Sequence, residues 1–512
     1  MNLTRPSVLH SLIGAAVFIV SLAFLWNLVG DCMHLSLDEG IYLEGGERLL
    51  EGQVPYRDFF AFTGPMIYWL QAVLEHTFGR NMPFLRLTAT ASLALMTLVV
   101  FAIASRLTDW GYALGTAFIF LSYLSASTYM IIANHRWVSA AFACAALWAA
   151  FEAVGKTKPP LLWLLAGAAA AAAAWTTPSF IIGIGVYALW LAFTERRSLL
   201  PFFGGILLVS LPAIGWLAAH GALMPMIDNL VWVASRYSKA NSLPYAYNPS
   251  GWDVKSWSDP ALSLYFRLMS AISIGRYLVA PISLPLLLAT YAFLAWKKQL
   301  DPQRQLLVLG SAALFSTAYP RWDVNQMLFV MAPAAILFSL LAFRLPKLAQ
   351  PVLTSVLVMW AAINYSSALR VSADDPSIST RAGIQRSPIS IATAYETLER
   401  HIPEGSTLFA YPYMPSPGFA LHTRNPVRYS YIQPGMMSKQ DEAQALSDLQ
   451  RHPPRFVLRQ YFPPDQILNT WPNSDRSTLV MASIENFFDT RYHLVERVRS
   501  IRFDVQLVEL NP

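Results

Sequence analysis

Two adjacent carboxylates, Asp38 and Glu39, open the stretch of this sequence best equipped for chemistry. Residues 31–83 hold eight carboxylates and three arginines, set between long apolar runs. A lone charge in a bilayer costs at least about 2.5 kcal/mol, so groups this dense must face water or one another. A carboxylate held in place can take a proton from a hydroxyl as a general base. Ser36-Leu37-Asp38-Glu39 also fits a capping box, with Ser36 as N-cap and Glu39 reaching back. An acidic first turn suits the helix dipole as well. From this tetrapeptide alone a helix start and a catalytic pair are both admissible readings.

The rest of the stretch supports a scaffold rather than a connector. Pro55-Tyr56-Arg57-Asp58-Phe59-Phe60 places Arg57 beside Asp58, as a local ion pair that shapes the loop or as a substrate contact. Gly64-Pro65 then starts a second helix, with Pro65 suited to the first turn and Gly79 as its stop. Ile67, Leu70, Leu74 and Phe78 recur at helical spacing and define its expected apolar face. Further candidate groups come from other polar turns: His135 and Arg136, then Arg236, Tyr237 and Lys239, then Arg321 and Asp323. Their plain reading is interfacial, with arginines snorkelling toward headgroups beside aromatic residues. The Pro320-led turn bearing Arg321 and Asp323 is the sharpest of them as a phosphate contact.

The elements that position these residues follow from composition. The 512 residues are 55% hydrophobic and 13% charged, with a net charge of +6, against about 25% charged in soluble proteins. Apolar windows able to cross about 30 Å of hydrocarbon recur near 8–30, 84–107, 110–130, 137–154, 161–178, 180–194, 200–219, 276–296, 305–319, 326–343 and 348–367. About eleven helical spans are expected. With the N-terminus inside, Arg5, Arg106, Lys156, Lys158, Arg196, Arg197, Lys297, Lys298, Arg304, Arg344 and Lys347 all fall in inner segments, as the positive-inside rule asks. The 31–83 and 220–275 loops, and everything after about residue 370, then lie outside. The basic charge is explained by this orientation, so no nucleic acid is expected.

After Arg370 the composition turns polar, and helical stretches alternate with short strands near 407–413, 455–461 and 503–510. The predicted division is therefore a membrane domain at 1–370 and a small outer α/β domain at 371–512. The near-continuous Gly/Ala run at 166–174 reads as close helix packing in lipid. Cys32 and Cys144 are the only cysteines, which leaves no disulfide framework. His34, His76 and His220 show no ligand spacing. A divalent metal could bind Asp38, Glu39 or Asp58, but nothing requires one, and no cofactor motif is present.

The Asp38-Glu39 pair after the first span, Gly52-Gln53-Val54-Pro55-Tyr56-Arg57-Asp58-Phe59-Phe60, and the Pro65-led aromatic helix together resemble the GT-C membrane glycosyltransferases. The likeness is to the RgtA/B/C/D-like and protein-mannosyltransferase-like (family 39) enzymes, including the aminoarabinose transferases of lipid A. It implies an all-α polytopic fold with an extracytoplasmic C-terminal α/β domain, in the inner membrane. It further implies inverting transfer of a monosaccharide from a polyprenyl-phosphate donor to a lipid, glycan or protein acceptor, with Asp38 catalytic and Glu39 its companion. Where many relatives carry Lys-Pro-Pro, this chain has Thr63-Gly64-Pro65. Another cation must then meet the donor phosphate, from among Arg57, His135, Arg136, Arg236, Lys239 and Arg321, with Asp58, Tyr237 and Asp323 beside them. The rival reading is a lipid or solute transporter or flippase, which would place its ionisable residues at mid-membrane instead.

Overall fold

In the computed structural model, residues 8–30, 32, 37–125, 131–155, 160–248, 258–373, 375–500 and 503–512 are described. The chain is mostly helical, and a helix occupies each of the eleven apolar windows. Four helical stretches are long and apolar enough to cross a membrane: Val8–Gly30, Met82–Leu107, Arg196–Ala219 and Tyr277–Trp296. Pro160–Thr176, Pro178–Thr194 and Met331–Phe343 are apolar but shorter. Phe193, Leu200, Trp296 and Leu348 leave at least 74% of their surface exposed. Exposed apolar surface on this scale is a lipid-facing or partner-facing surface rather than a wet one.

The bundle holds together by small-residue contact as much as by bulk. Helices Pro160–Thr176 and Leu199–Ala219 approach until Gly167 faces the Phe202 carbonyl and Gly205 faces the Leu164 carbonyl. A Cβ at either glycine would lie 1.9 Å from that oxygen. The small-residue run is thus a backbone-to-backbone seam, the arrangement that compensates for weak hydrophobic driving force in lipid. Trp137, Trp163, Phe202 and Phe329 fill the adjoining core.

Outside the bundle the first loop forms two helices, Leu37–Leu50 and Met66–Phe78, the latter closed at Gly79 with φ 70°. Its start and stop match the Pro65 and Gly79 signals. Its buried face matches in large part: Ile67 is buried and Leu70 and Leu74 pack half-buried against the core, joined by Tyr68, Gln71 and Glu75, whereas Phe78 is exposed. Gln71 lies against Gly46 of the acidic helix and donates to Thr88 and to the Leu85 carbonyl.

The 220–275 loop is ordered where described. Helix Leu223–Trp232 runs through a π-turn, Val233–Tyr237, into strand Leu243–Tyr247. This strand pairs in parallel with Arg321–Asp323, with Leu243 opposite Arg321. The next long helix begins at Leu264, inside the expected loop. Trp252 and Trp257 lie outside the described residues.

The C-terminal sheet orders its strands Leu408–Tyr411, Phe456–Gln460, Phe503–Leu510 and Tyr492–Ser500, the first pair parallel and the rest antiparallel. Helix Lys439–Arg451 starts on a capping box between Ser438 and Asp441. This region shares its core with the first loop. Tyr42, Tyr56, Phe59 and Phe60 pack with Phe409, Tyr411, Tyr429 and Tyr431, and Leu43, Met82 and Leu85 pack with Tyr395, Phe419 and Leu458. The first loop is therefore clamped between the bundle and the C-terminal sheet.

Forcing a side chain into the glycine seam tests the packing. Gly167→Val should lower unfolding stability in detergent by about 1–3 kcal/mol through overpacking. Gly183→Val, where nothing lies within 4 Å of the added Cβ, should leave the thermal midpoint unchanged.

Candidate active site

The site is built from the start of the Leu37–Leu50 helix, where Asp38 and Glu39 are neighbours in the first turn. Successive helical residues point about 100° apart, and the two carboxylates go separate ways. Glu39 is fully buried against Arg86, which bonds it through two nitrogens at 2.7 and 2.8 Å. The Ala133 N–H completes its coordination at 3.2 Å. Glu39 thus reaches inward to Arg86 rather than back along its own helix, and Ser36, its expected capping partner, lies outside the described residues.

Asp38 faces a cluster of phenols. The Tyr413 hydroxyl donates to its Oδ1 at 2.7 Å. Tyr42 stands 5.4 Å from the His135 ring, Phe62 stacks on Tyr237 at 5.6 Å, and Tyr431 meets Tyr413 edge-on at 5.1 Å. Burial pushes Tyr42, Tyr413 and Tyr431 well above the usual phenol range, and the Asp38 charge adds to it in each case. These groups stay protonated and available as donors at any ordinary pH.

The same cluster has a cationic side. Asp323 caps helix Val324–Leu328 through Oδ1 and holds the Arg321 Nε through Oδ2 at 2.7 Å. Arg321 also reaches Asn241 at 3.5 Å, and its Nη2 makes no hydrogen bond among the described residues. Burial works against the Arg321 charge, but Asp323, Tyr237 and Asp38 outweigh it and hold the guanidinium more firmly protonated than usual. Arg136 lies nearby, buried, with Nη2 on the Thr317 carbonyl at 2.8 Å and its Nε unbonded among the described residues. Phe180 and Phe329 sandwich it at 5.8 and 5.7 Å. A buried cation without a carboxylate partner is expensive, so this corner of the cluster is suited to an anion. His135 bonds Thr177 at 2.7 Å and forms part of the wall.

Other candidates lie elsewhere. Arg57 and Asp58 form a two-pronged pair, half-exposed, with Arg57 also on the His220 carbonyl and Asp58 holding the Val54 N–H. This is the local, loop-shaping role. Arg236 pairs with Asp475 at 3.4 Å on the seam with the C-terminal region, and Lys239 is exposed beside it. Gly64 uses its N–H to dock on the Thr176 carbonyl at 3.0 Å. Among the described residues no three His, Cys, Asp or Glu side chains gather as a metal site. Glu39 and Asp58 are each already held by an arginine.

Sequence reasoning missed Arg86, Tyr42, Tyr413 and Tyr431. Tyr42 was findable, because it lies one helical turn after Asp38 on the same face. The other three are brought in by tertiary packing and carry no local signal.

Among the described residues, Glu44 pairs with Arg48 at 2.6 Å within its own helix, while Glu47 pairs with Arg80 at 2.8 Å and Glu51 with Arg424 at 3.5 Å across elements. Glu75 differs. Its Oε2 is buried without a hydrogen bond, and burial pushes its carboxyl up to about 7, against a smaller lowering by Arg80. A carboxyl raised in the folded state binds more protons there than when unfolded. Its contribution to stability is therefore full below about 4.5 and lost as pH rises through about 7. Glu75→Gln should make that part of the pH–stability curve shallower, as thermal unfolding across pH 4–8 would report, with the remaining slope carried by Glu47, which burial raises to about 8. Separately, Arg86→Met should strand Glu39 in the interior and cost about 3–5 kcal/mol, most of it recovered in the Glu39→Gln, Arg86→Met double variant.

No family model matches this chain, and no curated protein does either. Solved structures do. ArnT from Cupriavidus metallidurans bound to undecaprenyl phosphate superposes with a TM-score of 0.57 at 16% identity, covering 98% of each chain. The same protein in its apo state gives 0.59 at 14% identity, covering 97% of this chain and 98% of that one. The Archaeoglobus fulgidus oligosaccharyltransferase AglB, in complex with an inhibitory peptide and a dolichol-phosphate, gives 0.51 at 11% identity over 89% of this chain and 70% of its own. At such identities the likeness is one of fold, and it runs through the C-terminal sheet as well as the helices. The chain has the GT-C glycosyltransferase fold.

Proposed function

We propose that this chain is an inverting glycosyltransferase that moves a monosaccharide from a polyprenyl-phosphate donor to a hydroxyl of a lipid, glycan or protein acceptor at the outer face of the inner membrane. The observation that carries the reading is one cluster in which Tyr413 bonds Asp38 and Arg321 lies close enough to feel the Asp38 charge, among buried protonated tyrosines. Base and phosphate-binding cation are the two groups this transfer needs from a protein.

In this reading the acceptor oxygen attacks the anomeric carbon as the carbon–oxygen bond to phosphate breaks on the opposite side. The acceptor proton passes to Asp38, and polyprenyl phosphate leaves with its charge met by Arg321 and the bare edge of Arg136. Asp323 and Asn241 hold Arg321 in place, and Glu39 anchors the helix that presents Asp38. Tyr237 and His135 line the sugar-side wall. The polyprenyl and dolichyl phosphates named in the ArnT and AglB structures support a lipid-linked donor. The eleven helices would all span, with the N-terminus inside and residues 371–512 outside, packed with the first loop over the site. The basic residues at one set of helix ends support that orientation.

Transfer is to be measured with the full chain in proteoliposomes, using radiolabelled undecaprenyl-phosphate monosaccharides. Asp38→Asn should lower turnover by about 10²–10⁴-fold, the usual contribution of a general base, with normal folding. Arg321→Gln should lower it by about 10²–10³-fold, the loss typical of one charge-stabilising donor. Full transfer by Asp38→Asn contradicts the reading, and transbilayer lipid movement that survives the substitution favours a flippase.

A further inference from the structure

One segment of the C-terminal region reaches Asp38 directly. Gly40 in the Leu37–Leu50 helix lies flush on the Pro415–Ser416 backbone, so that a Cβ there would sit 2.2 Å from the Ser416 nitrogen. The Gly40 N–H donates to Ser416 Oγ at 3.2 Å. A glycine within a helix costs about 1 kcal/mol relative to alanine, and here it permits that approach. The contact fixes the turn between strand Leu408–Tyr411 and helix Ser416–Ala420. Tyr413 occupies this turn, its ring set by Tyr431 at 5.1 Å and Trp471 at 6.3 Å. Its hydroxyl is the one hydrogen-bond donor to Asp38 among the described residues.

We propose that Tyr413 is a positioning residue for the Asp38 base, holding Oδ1 so that Oδ2 faces the acceptor, and that the C-terminal region thereby sets the competence of the base. The proposal rests on the reading of Asp38 as base. A hydrogen bond from a neutral donor favours the ionised carboxylate over the protonated acid, and bonds of this charge-assisted kind are the strong ones. Tyr42, Tyr237 and Tyr431 also face Asp38, as does Arg321, but each acts on it only through its charge or dipole. Burial, then Asp38 itself, raises the Tyr413 phenol, which keeps it a donor throughout the working range. Deleting the bond therefore changes protonation of the base without removing any group that touches the phosphate side.

The test uses the full chain in proteoliposomes with undecaprenyl-phosphate monosaccharides as donor. Tyr413→Phe should move the acid limb of the pH–rate profile upward by about one pH unit, lowering kcat about tenfold near the original limb while donor KM holds. Tyr413→3-fluorotyrosine, a stronger donor with nearly the same shape, should move the limb the other way, and it serves if the phenylalanine variant folds poorly. Tyr411→Phe, in the preceding strand, should reproduce the wild-type profile. A second readout needs no turnover: the infrared carboxyl band lost in Asp38→Asn should titrate at higher pH in Tyr413→Phe. Profiles and band both superimposable on wild type overturn the proposal. A shifted band in a protein that transfers no sugar sustains the Tyr413–Asp38 coupling and discards the transferase reading instead.

Discussion

The arrangement depends on one buried ion pair, Glu39 with Arg86. Both side chains are 0% exposed, and burying a charge is tolerable only when its partner and its remaining hydrogen bonds are supplied. Two guanidinium bonds and the Ala133 N–H supply them for Glu39. Arg86 sits at the junction of the short Met82–Leu85 helix and the long Leu87–Leu107 helix. The pair therefore pins the head of the loop helix to the bundle and to the segment ahead of His135. With Glu39 turned inward, Asp38 has a single direction left, toward the tyrosines and Arg321. Two neighbouring acids thus come to hold different places, Glu39 as a structural anchor and Asp38 as the base of the proposed reaction.

From that pin the remaining architecture follows as a series of docked surfaces. The loop helix lies against Met66–Phe78 on one side and against the Pro415–Ser416 turn on another. Arg428, from the C-terminal region, holds the carbonyls of Tyr56 and Arg57, and Arg48 holds those of Asn425 and Val427. These reciprocal arginine-to-carbonyl bonds tie the loop and the sheet into one body. The basic turn at Arg321 is fixed separately, by its strand pairing with Leu243–Tyr247, so Asp38 and Arg321 are presented on different supports. Tyr237 comes to the cluster from a π-turn, a local irregularity that re-aims a side chain.

What the sequence discloses here is what is local. Hydropathy found a helix in each apolar window because each window carries its own signal, and Pro65 and Gly79 marked a helix to the residue. Asp38, Arg321 and Tyr237 were singled out as candidates because polar groups are conspicuous between apolar runs. Glu39 was paired with Asp38 because they adjoin, but its partner Arg86 lies 47 positions away in a run that reads simply as the start of a span. Tyr413 is 375 positions from Asp38 and sits in a Pro-rich segment with no motif of its own. The strand Tyr492–Ser500 was overlooked because its glutamate and arginines mask the alternation. Whether an arginine faces headgroups or the interior is likewise set by distant packing, which is why Arg236 carried no signal of its pairing with Asp475 across 239 positions.

The central claim is that Asp38 and Arg321 address the two ends of one bond, the base at the acceptor and the cation at the departing phosphate. A cryo-electron microscopy structure of the full chain with undecaprenyl phosphate in nanodiscs tests it most directly. The account predicts phosphate density bonded to Arg321, with its tail leaving between the helices and Asp38 facing it across the pocket. Phosphate bound away from Arg321, with the Asp38 pocket filled by protein side chains alone, would contradict it.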